Sequence, residues 1–217
     1  MKASSILIFF LITSTIFSQE KSFQAEVGLN RSWFNYEFDK VNEIKTELHP
    51  QITAGLLYNF TTFNNFSVKA GIRYFNLSRY VDMEPYGFSS GSLTTFDNYL
   101  ISIPLQISYN IEIINTYILL NAEPSYILNS KIKLPSLSAP FSSETDVTTE
   151  LNRIQFAMGI GLEYVFNIAQ QKFGVKSIYN YGLTNFPKEG EFTNSTGTHS
   201  WEKFNASELN LLLTYYF

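Results

Sequence analysis

Seven charged residues draw attention by the phase of the chain on which they fall. Glu26, Lys69, Arg73, Glu123, Glu163, Lys176 and Glu208 each occupy the polar phase of an extended pattern whose other phase is apolar. Three cations and four anions sharing one phase imply a shared interior. Charge in a narrow, enclosed space is costly unless opposite charges meet. The chemistry open to such a set is a binding site, a proton or ion path, or simple mutual pairing. Pairing is the expectation here, because an eight-stranded enclosure is just wide enough for side chains to fill.

The remaining chemistry-bearing residues form no catalytic pattern. His49 and His199 are the two histidines of the chain. His199 and Ser200 put a base beside a nucleophile, but a working pair needs hydrogen-bond reach and a third, orienting group. No G-x-S-x-G elbow accompanies them, and two isolated histidines make no zinc-ligand spacing. The acids Asp82, Glu84, Glu144, Asp146, Glu189 and Glu191 lack the spacing of a calcium loop and read as a solvated face. With no Cys in the chain, disulfides, thiolate metal sites and a lipid-modified N-terminal cysteine are excluded. The expectation is a non-enzyme with no catalytic residue, no cofactor and no metal.

The elements that would position the charged phase are strands. The clearest is Tyr99–Ile111, where Tyr99, Ile101, Ile103, Leu105, Ile107, Tyr109 and Ile111 alternate with Ser102, Pro104, Gln106, Ser108 and Asn110. This period of two places an apolar solvent on one side and a wetter space on the other. Seven further segments read the same way, starting near Phe23, Gln51, Phe66, Thr116, Ile154, Phe173 and Leu209. In the first, apolar parity switches after Arg31-Ser32 to Phe34 and Tyr36, which predicts a bulge there. Pro104 lacks a ladder donor and predicts a bulge or a missing bond, with its ring in the interior. Pro124, in the next strand, falls on the outward phase.

Connections alternate long and short. The short ones are Thr61–Asn65, Ile113–Asn115 and Asn167–Gln171; the long ones include Val81–Asp97, Asn129–Asn152 and Pro187–Lys203. Outward-phase aromatics gather at two depths. Tyr58, Phe60, Phe66, Tyr109, Tyr164, Phe166, Phe173, Tyr215 and Phe217 lie beside the short turns, and Tyr74, Tyr99, Tyr126, Tyr179 and Tyr181 beside the long loops. With 20 Phe and 14 Tyr but only 16% charged residues, the chain has the composition of an up-and-down transmembrane barrel with two aromatic girdles. Residues 1–18 read as a cleavable signal peptide, with Lys2, an apolar run from Ile6 to Phe17 and a small Ser18. Residues 19–217 then form one barrel domain. The formal net charge of −4 and the lack of a basic patch exclude nucleic acid as a partner.

Three stretches resemble the outer-membrane β-barrel family common in Bacteroidota, the group that includes PorT-like proteins. They are Tyr99-Leu100-Ile101-Ser102-Ile103-Pro104-Leu105, Phe156-Ala157-Met158-Gly159-Ile160-Gly161-Leu162-Glu163-Tyr164 and Tyr179-Asn180-Tyr181-Gly182-Leu183-Thr184-Asn185. The resemblance implies an all-β, eight-stranded antiparallel barrel in the cell outer membrane. It also implies that Phe217 is an aromatic insertion signal read by the barrel-assembly machinery. It hands over no active residues. The expected partners are outer-membrane lipid, that machinery during insertion, and an unknown protein or ligand at the long loops. The leading reading is a plugged barrel whose external loops bind or adhere. A small channel or transporter, a PorT-like secretion component, a lipid-modifying enzyme and a soluble lipocalin-like barrel are the alternatives.

Overall fold

A computed structural model describes residues 23–37, 51–82, 93–134, 143–186, 191–194, 197–200 and 203–217. The alternating segments become eight wall strands. They are β1 (Phe23–Glu37), β2 (Gln51–Phe63), β3 (Phe66–Asp82), β4 (Leu93–Ser102 and Leu105–Ile111), β5 (Thr116–Leu134), β6 (Ile154–Ile168), β7 (Gln171–Gly182) and β8 (Lys203–Tyr216). Each pairs antiparallel with its sequence neighbours, and β8 returns to β1 from Gln24↔Tyr216 to Glu37↔Lys203. The sheet is therefore a closed up-and-down barrel. The amide of Phe217 extends the seam by donating to the Phe23 carbonyl at 2.9 Å.

Side-chain phase follows the alternation. Ile101, Ile103 and Leu105 are 38%, 55% and 48% exposed on the outer face, while Ser102, Pro104 and Gln106 are buried. The same holds for Val27, Leu29, Leu56, Ile72, Leu120, Ile160, Leu211 and Leu213, all exposed apolar residues. This is the inverse of a soluble barrel, whose apolar residues turn inward. The lipocalin-like alternative is set aside on that ground.

Several boundaries differ from the sequence reading. The expected loops Val81–Asp97 and Asn129–Asn152 are shorter, because β3 runs to Asp82, β4 starts at Leu93 and β5 runs to Leu134. A further short strand, Ser143–Asp146, pairs with the end of β5. Beyond the bilayer neither face needs to be apolar, so the alternation fades while the ladder continues. The same reason removes the bulge predicted at Arg31-Ser32. The β1–β8 register is unbroken through that point, Arg31 stays exposed and Ser32 buried, and Trp33 stacks on Tyr179 at 5.5 Å. Register shifts occur instead between Asn59 and Thr61 and between Tyr99 and Leu100. The expected loop Pro187–Lys203 contains a two-stranded ribbon, Glu191–Asn194 with Gly197–Ser200.

Pro104 produces a missing bond and no bulge. Register is the same on both sides of it, Arg73↔Ser102 and Ala70↔Leu105. The Gly71 amide donates to the Pro104 carbonyl at 3.2 Å, and Pro104 has no N–H to return. Pro124, half-buried on the outward phase, repeats the pattern by accepting from the Ile103 amide at 2.9 Å. The short turns are tight. Asn64, Asn115, Ala169 and Gln170 adopt positive φ, and the Ala169-Gln170 pair has the two left-handed residues of a type I′ hairpin.

The outward phase of β4 predicts the response to a charge. Ile103→Arg should cost about 2–4 kcal/mol of folding free energy in bilayers, the range for a cation facing mid-depth lipid. Reversible folding into lipid vesicles measures it; an unchanged free energy would mean that this position does not meet hydrocarbon.

Candidate functional site

The barrel interior is a connected polar network. On β3, Arg73 contacts Glu26 of β1 at 2.6 Å and grips Glu123 of β5 through Nη1, at 2.8 and 2.7 Å to its two carboxylate oxygens. From β7, Lys176 donates to Glu26 Oε2 at 3.1 Å and lies 3.9 Å from Glu163 of β6. Lys69 of β3 reaches Glu163 at 3.4 Å and packs near the rings of Tyr117 and Tyr216. All these charges are buried. In water such pairs contribute little; here, removing one partner would strand a charge without solvent.

Neutral side chains complete the network. Gln24 bridges Lys69 and Glu163. Glu163 also accepts from the Thr214 and Tyr216 hydroxyls at 2.9 and 2.6 Å. Glu123 accepts from Ser102 at 2.6 Å and from the Asn121 and Asn180 amides at 2.9 Å each. Asn180 continues to Glu208 at 2.7 Å, and Asn30 reaches the same carboxylate at 3.3 Å. The structure thus brings Glu26, Lys69, Arg73, Glu123, Glu163, Lys176 and Glu208 into one lumen. Six of the seven meet in ion pairs, whereas Glu208 is held by amides alone among the described residues.

Small residues make room for this. A Cβ on Gly174 would collide with Thr214 Oγ1 and lie 2.9 Å from Glu163 Oε1; one on Gly159 would collide with Asn180 Oδ1. The network fits because the opposing wall is bare backbone at these points. Beside it, Leu119, Ile178 and Leu212 form a small apolar cluster with Tyr117.

The lumen ends in an apolar cap on the long-loop side. Phe75, Leu77, Leu100 and Ile127, all on inward phases, pack around Phe186, with Leu151 and Ala206 against them. Phe186 arrives from the segment after β7, which is tied to the segment before β6. The Asn152 amide donates to the Phe186 carbonyl at 2.7 Å, and its side chain donates to the Asn185 carbonyl at 3.0 Å. Outside the cap, Asp97 accepts from Lys133 at 2.8 Å and from Ser78. On the short strand, Asp146 is held below the usual carboxylate range by hydrogen bonds from the Thr148 hydroxyl and backbone amide.

Outer aromatics close the short-turn end. Tyr164, Phe166, Phe173, Tyr215 and Phe217 follow one another across β6, β7 and β8, with ring centroids 4.8–6.2 Å apart. Phe23, Tyr58 and Phe60 continue the belt on β1 and β2, and Phe66 pairs with Tyr109 across β3 and β4. Phe217 is exposed on this face.

Sequence reasoning missed the amides as a group, the Tyr216 hydroxyl and the cap. Gln24, Asn30 and Asn180 share the phase of the charges, and that coincidence was the available signal. The cap was marked by Phe75, Leu77, Leu100 and Ile127, apolar residues that gather on the inward phase beside the long loops. Of the residues considered and set aside, His199 and Ser200 occupy successive positions of the Gly197–Ser200 strand, and Asp82, Glu144 and Glu191 lie on strands. His49, Glu84, Glu189 and residues 1–18, read from the sequence as a signal peptide, lie outside the described residues.

Residues 17–187 match the sequence model of a family described as "Outer membrane protein beta-barrel domain". No curated relative matches. Among solved structures, a major outer membrane protein from Thermus thermophilus aligns at 10% identity with a TM-score of 0.50, covering 92% of this chain and 100% of that one. OprG from Pseudomonas aeruginosa aligns at 13% identity with a TM-score of 0.49, covering 93% and 98%. Ail, the attachment invasion locus protein of Yersinia pestis, aligns at 15% identity with a TM-score of 0.48, covering 92% and 100%. At these identities the Thermus protein supports the fold alone.

Arg73 is the most connected cation of the lumen, and its removal reads out the pairing. Arg73→Ala should destabilise the barrel by about 3–5 kcal/mol, because Glu123 loses its cation inside the lumen and Glu26 keeps Lys176 alone. Urea unfolding in lipid vesicles tests this; stability equal to wild type would show that the carboxylates do not depend on the guanidinium.

Proposed function

The chain belongs to the outer membrane protein β-barrel domain family and is an outer-membrane barrel, and on that premise we propose that it is a non-enzymatic wall protein with a plugged lumen. Binding or adhesion falls to its external connections. The observation that carries this is the cross-section itself. Arg73 and Lys176, paired with Glu26, Glu123 and Glu163, fill the bore, and Phe186 packs an apolar stopper over its outer end. A wall of paired strands is rigid and sequence-tolerant, so recognition is left to the loops that it displays.

The reading includes three finer points. Affiliation with the PorT-like group, and through it the secretion-component alternative, is supported by the stretches 99–105, 156–164 and 179–185. Export is supported by the basic, apolar and small-residue order of residues 1–18. Use of Phe217 as the residue read by the barrel-assembly machinery is supported by its exposed place in the aromatic belt, where its amide also closes the β1–β8 seam.

The plugged lumen is tested by single-channel recording. The full-length protein refolded into planar bilayers should give no steady conductance steps. A stable, well-resolved pore would replace this reading with the channel alternative. The enzyme alternative is tested by His199→Ala, which should leave the lipid profile of the host membrane unchanged; an altered lipid product would overturn the non-enzymatic assignment.

A further inference from the structure

The described lumen holds one more acid than base. Glu26, Glu123 and Glu163 take up Lys69, Arg73 and Lys176. Glu208 meets amides instead, from Asn180 at 2.7 Å and from Asn30 at 3.3 Å. Its side chain is buried. An ionised carboxylate shut away from water needs a positive charge, and dipoles alone do not neutralise it.

A second observation falls at the same place. The Asn30 Oδ1 and the Asn210 Oδ1 are buried without a hydrogen-bond partner, and the Asn210 side chain lies against the Glu208 carboxylate. Both asparagines are 1% exposed. Asn30 and Asn210 stand opposite each other in the β1–β8 ladder, and Asn210 lies two positions from Glu208 on the same inward phase. Asn30 is already joined to the Glu208 carboxylate through its nitrogen. The orphan oxygens and a carboxylate that has no ion pair of its own therefore share one corner of the lumen. Next to it, Asn121, linked to Asn180 at 2.9 Å, carries another unpartnered oxygen.

A proton on Glu208 would cancel the charge, but its single O–H can meet only one of the two amide oxygens. A small cation answers both needs, since hard cations take carboxylate and amide oxygens together. One net charge calls for a singly charged ion. The donor set contains no nitrogen or sulfur ligand, and no cluster of three His, Cys, Asp or Glu exists among the described residues, which argues against a transition metal. We propose that Glu208, Asn30 and Asn210 form an internal binding site for a monovalent metal cation of the sodium class. Sodium would then be part of the folded barrel, closing the charge balance that the lumen's own cations leave open. The site lies within the plugged lumen but has its own readout, so conductance and ion-dependent melting can fail separately.

The test is thermal unfolding of the full chain in detergent micelles, with sodium chloride replaced by N-methyl-D-glucamine chloride at equal ionic strength. Wild type should melt at higher temperature in sodium, with a rise that saturates as sodium is titrated, as single-site linkage requires. Glu208→Gln should abolish the sodium dependence. Should that variant fail to fold, Asn210→Ala should move the sodium midpoint to higher concentration. Equal melting of wild type in the two salts overturns the site, as does sodium dependence that survives in Glu208→Gln. Stability that responds to pH while ignoring sodium overturns it in favour of a proton held at Glu208.

Discussion

A strand in hydrocarbon has no water to satisfy its backbone, so the sheet must close on itself. That closure governs everything else. Once the ladder returns from β8 to β1, every side chain has two destinations, lipid or lumen, and the pleat assigns them alternately. Apolar residues take the lipid. Charges needed nowhere on the outer face are forced into a bore too narrow for bulk water, where they must neutralise one another. The pairing of Arg73 with Glu26 and Glu123 is thus a consequence of closure as much as a choice of residues.

The interior is graded along the barrel. Near the short turns, Lys69 sits among Tyr117, Tyr216 and Glu163. At mid-depth the guanidinium ties β3 to β1 and β5, and Lys176 ties β7 to β1. Toward the long loops the contents become amide-rich around Glu208 and then apolar at Phe186. A buried network of this kind is intolerant of added bulk: Gly159 and Gly174 face Asn180 and Glu163 at distances that leave no room for a methyl group. The outer surface obeys looser rules, because lipid accepts many apolar shapes, and its specific features are confined to the aromatic belts.

Much of this was legible in the alternation. The eight strands, their order, the inward phase of all seven charges and the lower belt follow from a period of two read with turn signals. The failures share one cause. Alternation reports a contrast between two solvents, so it vanishes where strands leave the bilayer. That is why the ends of β3 and β5 read as loop, and why the parity change after Arg31 read as a bulge. Pro104 was placed inward correctly, yet the strand passes it in register because both neighbours hold it there. The cap required knowing that Phe186 folds back onto β3, β4 and β5, a long-range contact that no local pattern encodes. The short distance between Asn30 and Glu208, 178 residues apart in sequence, was hidden for the same reason.

The inside-out arrangement is most directly tested by site-directed spin labelling, which the absence of native cysteine makes clean. Single cysteines at each position from Ile101 to Ile107, labelled in lipid vesicles, report contact with oxygen dissolved in the hydrocarbon. The account predicts high oxygen accessibility at 101, 103, 105 and 107 and low accessibility at 102, 104 and 106. The opposite phase, or no alternation at all, would contradict it.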